Sequence, residues 1–488
     1  MLRGIFLPWR WAWRQTCGRV RDREIAMTVS EASTRRVSAR ERGYPWVLFA
    51  FALVVRLVAV FYLHSYNLPM QLSEHDGIAA HLVLGEGFAY RPVHGISYLQ
   101  PTSWMAPLYP FFLAGVYLLL GMHTPAAYLG IELLQAISSA FGCLFVYWIG
   151  RKLWGHRVGA VAGFILALYP PLIYSVTRIR PITFIVDLLA LEVLLVLQLS
   201  EKPRTGIAVV AGIVIGLLAL LEPVTLIFAP FACLWLCLHA SESVSRFLRL
   251  ICVMAIVALM VVLPWTVRNF IVHGRFVFIE SSLGYQLWVG NNPHATGTSR
   301  LLPAPEERGL CWPEQGIAGW RDVQQLLWRQ KEATPTVFST MPVDVREQLR
   351  SMSEVEGDAL LLGLAMEWIR EHPARFLALS LQRLGYYWWL DPTNPLATMV
   401  VYALPWFVLF PLGLLGMVLS RRSWRRLSLL CFLLASVTVP YLVTVVEPRY
   451  RMPLEPCITL FAAYAVCHVV PRVKTSEISC REAPDSRN

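Results

Sequence analysis

The sequence predicts an all-α protein that crosses a membrane many times, in about ten transmembrane helices. Three observations carry this reading. Of its 488 residues 56% are hydrophobic and only 15% are charged, and the mean hydropathy is +0.51, outside the composition of a soluble domain. Apolar stretches long enough to cross, or nearly cross, a hydrocarbon core of about 30 Å recur along the chain, and in lipid a helix satisfies its own backbone groups. The net charge of +11 does not point to nucleic acid, because the basic residues sit in short clusters between apolar runs, where orientation signals belong.

Residues 1–45 contain many arginines (Arg3, Arg10, Arg14, Arg19 and others) and no long apolar core. They are expected to be a basic cytoplasmic tail, not a signal peptide or a folded domain. Met27 is a second reasonable start, which makes residues 1–26 a candidate extension of the gene model. The expected spans are 46–64, 127–149, 157–175, 182–199, 206–221, 224–239, 249–267, 400–419, 427–445 and 456–471. Seven helices thus occupy 46–269, three occupy 400–471, and a tail follows at 472–488.

Charge orients them. "RKLWGHR" (Arg151, Lys152, Arg157), "EKPR" (Lys202, Arg204), "RFLR" (Arg246, Arg249), "RRSWRR" (Arg421 to Arg426) and the tail at Arg472 and Lys474 fall on alternate turns. By the positive-inside rule those turns and both termini are cytoplasmic. The alternation holds only if 108–120, "LYPFFLAGVYLLL", does not cross. That run is short for a span and follows or contains Pro107 and Pro110, so it is expected to lie in or near the outer interface. Two large segments then face outward: a first outer loop, 65–126, and a second, 270–399. The second begins with the turn-rich "LWVGNNPHATG" and ends in a helix-like run whose aromatic end, "LGYYWW", suits an interface. No internal repeat of the transporter kind is evident.

The candidate chemistry lies on that outer side. "SEHDGIAAHLVLGEGFAY" places Glu74 and Asp76 just beyond the first span, where a carboxylate that loses water becomes a better general base. Arginine on the outer side runs against the orientation rule and so needs a reason. Arg449 and Arg451 in "VEPRYRMPLEP" are the clearest case, joined by Arg178, Arg180 and Arg268. Clustered guanidinium groups at a membrane surface suit phosphate or an anionic headgroup; the competing reading is snorkelling, or pairing with Glu447 and Glu455. Arg56, inside the first span, is expected to partner a protein carboxylate. Glu222, at the break "LLEPVT", and Asp187 are intramembrane acids that either line a cavity or form ion pairs.

The ten cysteines lack disulfide or zinc spacing, and Cys233 and Cys237, though on one helix face, have no His or carboxylate beside them. His75, His81, His94 and His294 form no recognisable metal cluster, and "GEG" at 85–87 is too short for a nucleotide fingerprint. No cofactor is expected and no metal site is assigned.

Four segments, in order, resemble a known family: "EHDGIAAHLVLGEGFAY", "PTSWMAPLYPFFLAGVYLLLG", "VRNFIVHGRFVFIESSLGYQLWVGNNPHATG" and "EPRYRMPLEP". They are similar to the polytopic GT-C glycosyltransferases of the family 39-like type, which includes protein mannosyltransferases and aminoarabinose transferases. The likeness covers most of 44–471. It implies a polyprenyl-phosphate sugar donor, an acceptor on the outer face, inversion at the anomeric carbon and an acidic residue in the first outer loop, here Glu74 with Asp76 as its competitor. On the clustered outer arginines, the expected lipid-phosphate ligands are Arg449, Arg451, Arg268 and Tyr450, with Arg56, Tyr109, Asn291, Asn292 and Glu222 as supporting residues. The chain departs from the family where it reads "RIRPITF", since relatives often carry a glutamate there, and at Glu222, where they carry an uncharged or basic residue. The rival expectation is a transporter, or a non-catalytic binder, of lipid-linked sugars. Missing retention signals favour a bacterial inner membrane.

Overall fold

The computed structural model describes residues 39–67, 73–90, 99–239, 244–300 and 340–469. His94, Arg472 and Lys474 therefore lie outside the described residues. The chain divides into two units, Met1–Val47 and Leu48–Asn488; of the first, the described part is the opening of helix α1 (Ala39–Leu63).

After α1 come α2 (Glu74–Val83), a two-stranded antiparallel pair β1 (Ala89–Tyr90) and β2 (Gln100–Pro101), and α3 (Leu108–Leu120). The bundle continues with α4 (Pro125–Trp154), α5 (His156–Ala167), α6 (Pro170–Ser175), α7 (Ile182–Glu201), α8 (Thr205–Ala219), α9 (Phe228–Leu238) and α10 (Val244–His273). The second outer segment holds α11 (Leu283–Gly290), α12 (Val343–Ser351), α13 (Glu354–Glu371), α14 (Pro373–Trp388) and α15 (Pro395–Thr398); α16 (Val400–Leu419), α17 (Trp424–Val443) and α18 (Glu455–Val469) complete the chain.

Every expected span coincides with a helix, but only seven helical stretches among the described residues are long and apolar enough to cross by themselves. The other three expected spans fall on shorter helices, for local reasons. The span at 157–175 breaks after Leu168, because Pro170 and Pro171 cannot continue a helix and restrict the residue before them. The span at 206–221 ends as a helix at Ala219, and a 3-10 turn, Pro223–Ile227, with Glu222 as its N-cap residue, leads into α9. At 15 residues, α8 is about 22 Å long, short of a full core.

Small residues let these helices approach closely. A side chain at Gly212 of α8 would meet the Met254 carbonyl oxygen of α10 at 2.6 Å, so the pair packs backbone to backbone, as membrane helices favour.

The basic turns share one end of the bundle. Lys152 pairs with Glu201, Arg246 donates to Pro203 O at 2.9 Å, and Trp235 donates to Arg425 O at 3.3 Å. The acid- and arginine-bearing turns meet at the other end. There Ser65 donates to Glu132 at 2.6 Å, Gln135 donates to Val176 O at 2.8 Å, and Leu108 N–H donates to Leu220 O at 3.0 Å. Helix α3 keeps both its ends here, for Tyr117, one turn from its close, donates to Asp76 in the first turn of α2.

Candidate functional site

Ser73 caps α2: its hydroxyl accepts the N–H of Asp76 at 3.3 Å, fixing the helix start. Two residues apart on a helix is about 200° of rotation, so Glu74 and Asp76 leave the helix on opposite sides. Asp76 points inward, is fully buried, accepts from Tyr117 and lies 3.3 Å from His123 Nε2. It pins α2 to α3 and is closed to solvent. The next residue, Gly77, lets the Tyr90 ring of β1 pack against α2, since a side chain there would reach that ring at 2.6 Å.

Glu74 is half-buried and lies within electrostatic reach of Arg180, Arg449, His75 and Tyr285. Arg449 pairs with Glu447 at 3.0 Å and sits 5.1 Å over the Tyr450 ring. Tyr450 in turn stacks on Tyr441 at 4.6 Å, nearly parallel. The charge of Arg449, then removal from water, pushes Arg180 down to about 10. Removal from water also opposes charge on Arg449, but Glu447, Tyr450 and Glu74 more than offset it, so its guanidinium is held above the usual range. Burial drives His75 down to about 4, leaving it neutral at physiological pH, with its ring edge-on to Tyr109 at 5.4 Å. The site end therefore holds two guanidinium groups close enough to repel each other, from turns some 270 residues apart in sequence, with an acid beside both. An anion between two such groups would be bound by charge and by forked hydrogen bonds.

The other expected phosphate ligands are occupied elsewhere. Arg451 is buried, donates to Glu455 at 3.0 Å and to Tyr387 O at 3.0 Å, and lies 3.8 Å over Trp406. It joins α14, α16 and α18 and does not face the Glu74 cluster. Removing one partner of a buried ion pair leaves the other uncompensated, so Arg451→Ala is expected to destabilise the fold by about 3–5 kcal/mol, seen as a lowered thermal midpoint in detergent. Arg268 donates to Thr102 O at 2.6 Å and Phe88 O at 2.9 Å, with Trp265 4.7 Å below it; it ties α10 to the β pair.

Of the supporting residues, Arg56 gives its hydrogen bonds to Ser139 at 2.7 Å and to the carbonyls of Ala52 and Ala167. Its direct partners are thus a hydroxyl, the Cys143 thiol at 3.4 Å and two backbone carbonyls, not the expected carboxylate; Asp187 is bound instead by Ser138 at 2.6 Å and feels Arg56 only as a neighbouring charge. Tyr109 donates to Gln135 at 2.9 Å. Asn291 donates to Leu287 O and, across the chain, to Val443 O, both at 2.8 Å, while Asn292 folds back on Trp288 O at 2.9 Å. Asn291 ties the end of α11 to α17, and Asn292 closes the end of α11 itself. Glu222, by contrast, stands at the site end within reach of Arg449 and Tyr441. Among the described residues no group of three His, Cys, Asp or Glu side chains is placed to hold a metal ion.

Sequence reasoning missed Glu280 and Glu354. Glu354, at the start of α13, is buried and accepts from Thr102 and Ser281 and from the Ser103 N–H at 2.8 Å, clasping the first outer loop to the second. Its signal was the capping sequence "SEVE", where Ser353 and Glu356 form a complete capping box, but nothing local marks the residue between them as a clasp.

The multi-pass helical bundle of this integral membrane protein has the GT-C fold, and it brings acids and arginines from separate turns to one end. Residues 104–267, a third of the chain, match the family described as dolichyl-phosphate-mannose-protein mannosyltransferase. The oligosaccharyltransferase AglB of Archaeoglobus fulgidus, solved with an inhibitory peptide and dolichol-phosphate, superposes with a TM-score of 0.52 at 12% identity, covering 88% of this chain and 51% of that one. Its apo form gives a TM-score of 0.50, also at 12% identity and over 88% and 51% of the two chains. ArnT of Cupriavidus metallidurans bound to undecaprenyl phosphate matches at 16% identity with a TM-score of 0.39, over 87% and 78%. The chain spans about half the length of the oligosaccharyltransferase it resembles. No curated protein matches it in sequence.

Proposed function

We propose that the chain is a glycosyltransferase that moves a sugar from a polyprenyl-phosphate donor to an acceptor on the outer face of the membrane, with inversion at the anomeric carbon. The observation that carries this is the meeting of Arg180 and Arg449 with Glu74 at one end of the bundle. The opposite end carries the basic turns, which the positive-inside rule assigns to the cytoplasm together with both termini. The site end then faces outward, with 65–126 and 270–399 as its two outer loops.

In this reading the donor's phosphate lies between Arg180 and Arg449, and Tyr450 backs the second guanidinium. Glu74 holds the acceptor hydroxyl in line with C1 of the sugar. As the hydroxyl oxygen bonds to C1, the bond from C1 to the phosphate oxygen breaks and negative charge grows on the lipid phosphate. Two fixed guanidinium groups in a water-poor site stabilise that charge without reorganising. The leaving group is already a phosphodiester, so no nucleotide is needed. Asp76 acts as a positioning residue, keeping α2 against α3 so that Glu74 faces the arginines.

The test is to reconstitute purified protein in sealed vesicles with an acceptor-containing membrane extract and undecaprenyl-phosphate mannose, glucose, N-acetylglucosamine or aminoarabinose in turn. Free undecaprenyl phosphate should appear with at least one donor. Intact donor that merely changes leaflet would sink the transferase reading in favour of a transporter.

A further inference from the structure

Two carboxyl groups at the site end have no role in the steps above. Glu222 stands at the break after α8, in extended backbone with φ −155 and ψ 96. Glu280 lies in the segment that leaves α10. Packing brings the two segments together: Leu220, Leu226 and Ile279, their neighbours in sequence, share one apolar cluster with Ile78 and Ala106. A single piece of the first outer loop bonds to both, since Ala106 N–H donates to Glu280 Oε1 at 2.7 Å and Leu108 N–H donates to Leu220 O. Both acids keep accessible surface.

Glu222 faces Arg449, Tyr441, Tyr450 and Tyr387, and Glu280 faces Glu222 and Ser282. Like charges drawn out of water side by side resist full ionisation, so such a pair shares a proton. Removal from water raises Glu222 to about 7; removal from water and then the Glu222 charge raise Glu280 to about 8. A proton acceptor works best when poised near the operating pH. Glu74 is placed differently: a proton on it would leave Arg180 and Arg449 less balanced just as the phosphate must be held in register.

We propose that Glu222 and Glu280 act as one carboxyl pair that takes the proton of the acceptor hydroxyl, while Glu74 holds that hydroxyl in line. This rests on the glycosyltransferase reading. The acceptor oxygen bonds to C1, the electron pair of the broken C1–O bond stays on the lipid phosphate, and the acceptor proton passes to the pair. The pair returns it to water once product has left. Relatives lacking an acid at the position of Glu222 would need a different proton acceptor, so the pair is a feature of this chain.

The test compares full-length wild type with Glu222→Gln, Glu222→Asp and Glu280→Gln, reading release of undecaprenyl phosphate from whichever of the four donors above the wild type cleaves. Wild-type turnover should fall as pH drops below about 7, where the pair takes up a second proton. Glu222→Gln should lower kcat roughly a hundredfold, with partial recovery in Glu222→Asp. Glu280→Gln removes the partner that takes up the first proton, so the upper of the two carboxyl titrations, near 8 in the wild type, should disappear while the acid limb near 7 stays, a split that loss of a merely structural contact would not give. Infrared spectra should show a protonated-carboxyl band titrating near neutrality in wild type and altered in both Gln variants, which keeps the test decisive if Glu222→Gln fails to fold. A carboxyl titration near 8 that persists in Glu280→Gln, or wild-type kcat in Glu222→Gln, overturns this inference alone. If the wild type cleaves none of the donors, the transferase reading falls and takes this inference with it.

Discussion

Arg449→Ala is expected to lower kcat/KM for the lipid-linked donor by about a hundredfold to a thousandfold, with little change in thermal midpoint. The size follows from removing one of two fixed charges on a developing anion, worth about 3–4 kcal/mol in sites of this kind. The small stability change follows from its surroundings: the side chain keeps 34% of its surface accessible and its partner Glu447 keeps 21%, against 6% and 0% for Arg451 and Glu455, so its removal strands no fully buried charge. Arg449→Lys should recover only part of the loss, because an ammonium group carries the charge without the planar fork. Arg451→Ala should show the opposite pattern, unfolding early, because that guanidinium is buried against Glu455 and Trp406. Side-by-side thermal melts and donor kinetics separate the two arginines, which the sequence sets only two residues apart.

Glu74→Gln is expected to reduce kcat by a hundredfold or more, since a misaligned acceptor forfeits much of the advantage of a bound nucleophile. Donor KM should fall at the same time: removing a negative charge beside Arg180 and Arg449 leaves them more attractive to phosphate. Lower kcat with tighter donor binding is the pattern expected of a group that acts on the acceptor. Asp76→Asn should behave otherwise. It weakens a fully buried contact with Tyr117 and His123, costing about 1–3 kcal/mol of stability, while leaving more residual turnover than Glu74→Gln. Equal loss of activity in both variants, at unchanged stability, would show that the division of labour between the two acids is wrong.

Much of the fold is legible in the sequence because membrane helices are written locally. The apolar runs and the alternate basic turns place the helices, and "LYPP" and "LLEP" even mark the breaks at Pro170 and Pro223. Parity, the short length and the prolines together place 108–120 at one end, and the bond from Tyr117 to Asp76 is consistent with it. Within the site, helical phase already separates Glu74 from Asp76, and the i, i+4 spacing of Arg451 and Glu455 already suggests their pairing. The meeting of Arg180 with Arg449, the approach of Glu280 to Glu222 and the clasp at Glu354 depend on which turns the bundle brings together. No local periodicity encodes that, and an acid in "FVFIESS" looks like any loop acid until its neighbours are placed.

The central claim is that the site end breaks the bond between sugar and lipid phosphate. The most direct measurement is a single-turnover assay in which protein in excess is mixed with radiolabelled undecaprenyl-phosphate sugar and an acceptor-containing membrane extract, comparing wild type with Glu74→Gln and Arg449→Ala. Release of undecaprenyl phosphate by wild type is expected, slowed by about two orders of magnitude or more in either variant although both remain folded. Equal release by all three proteins, or donor bound by wild type and recovered uncleaved, would contradict it.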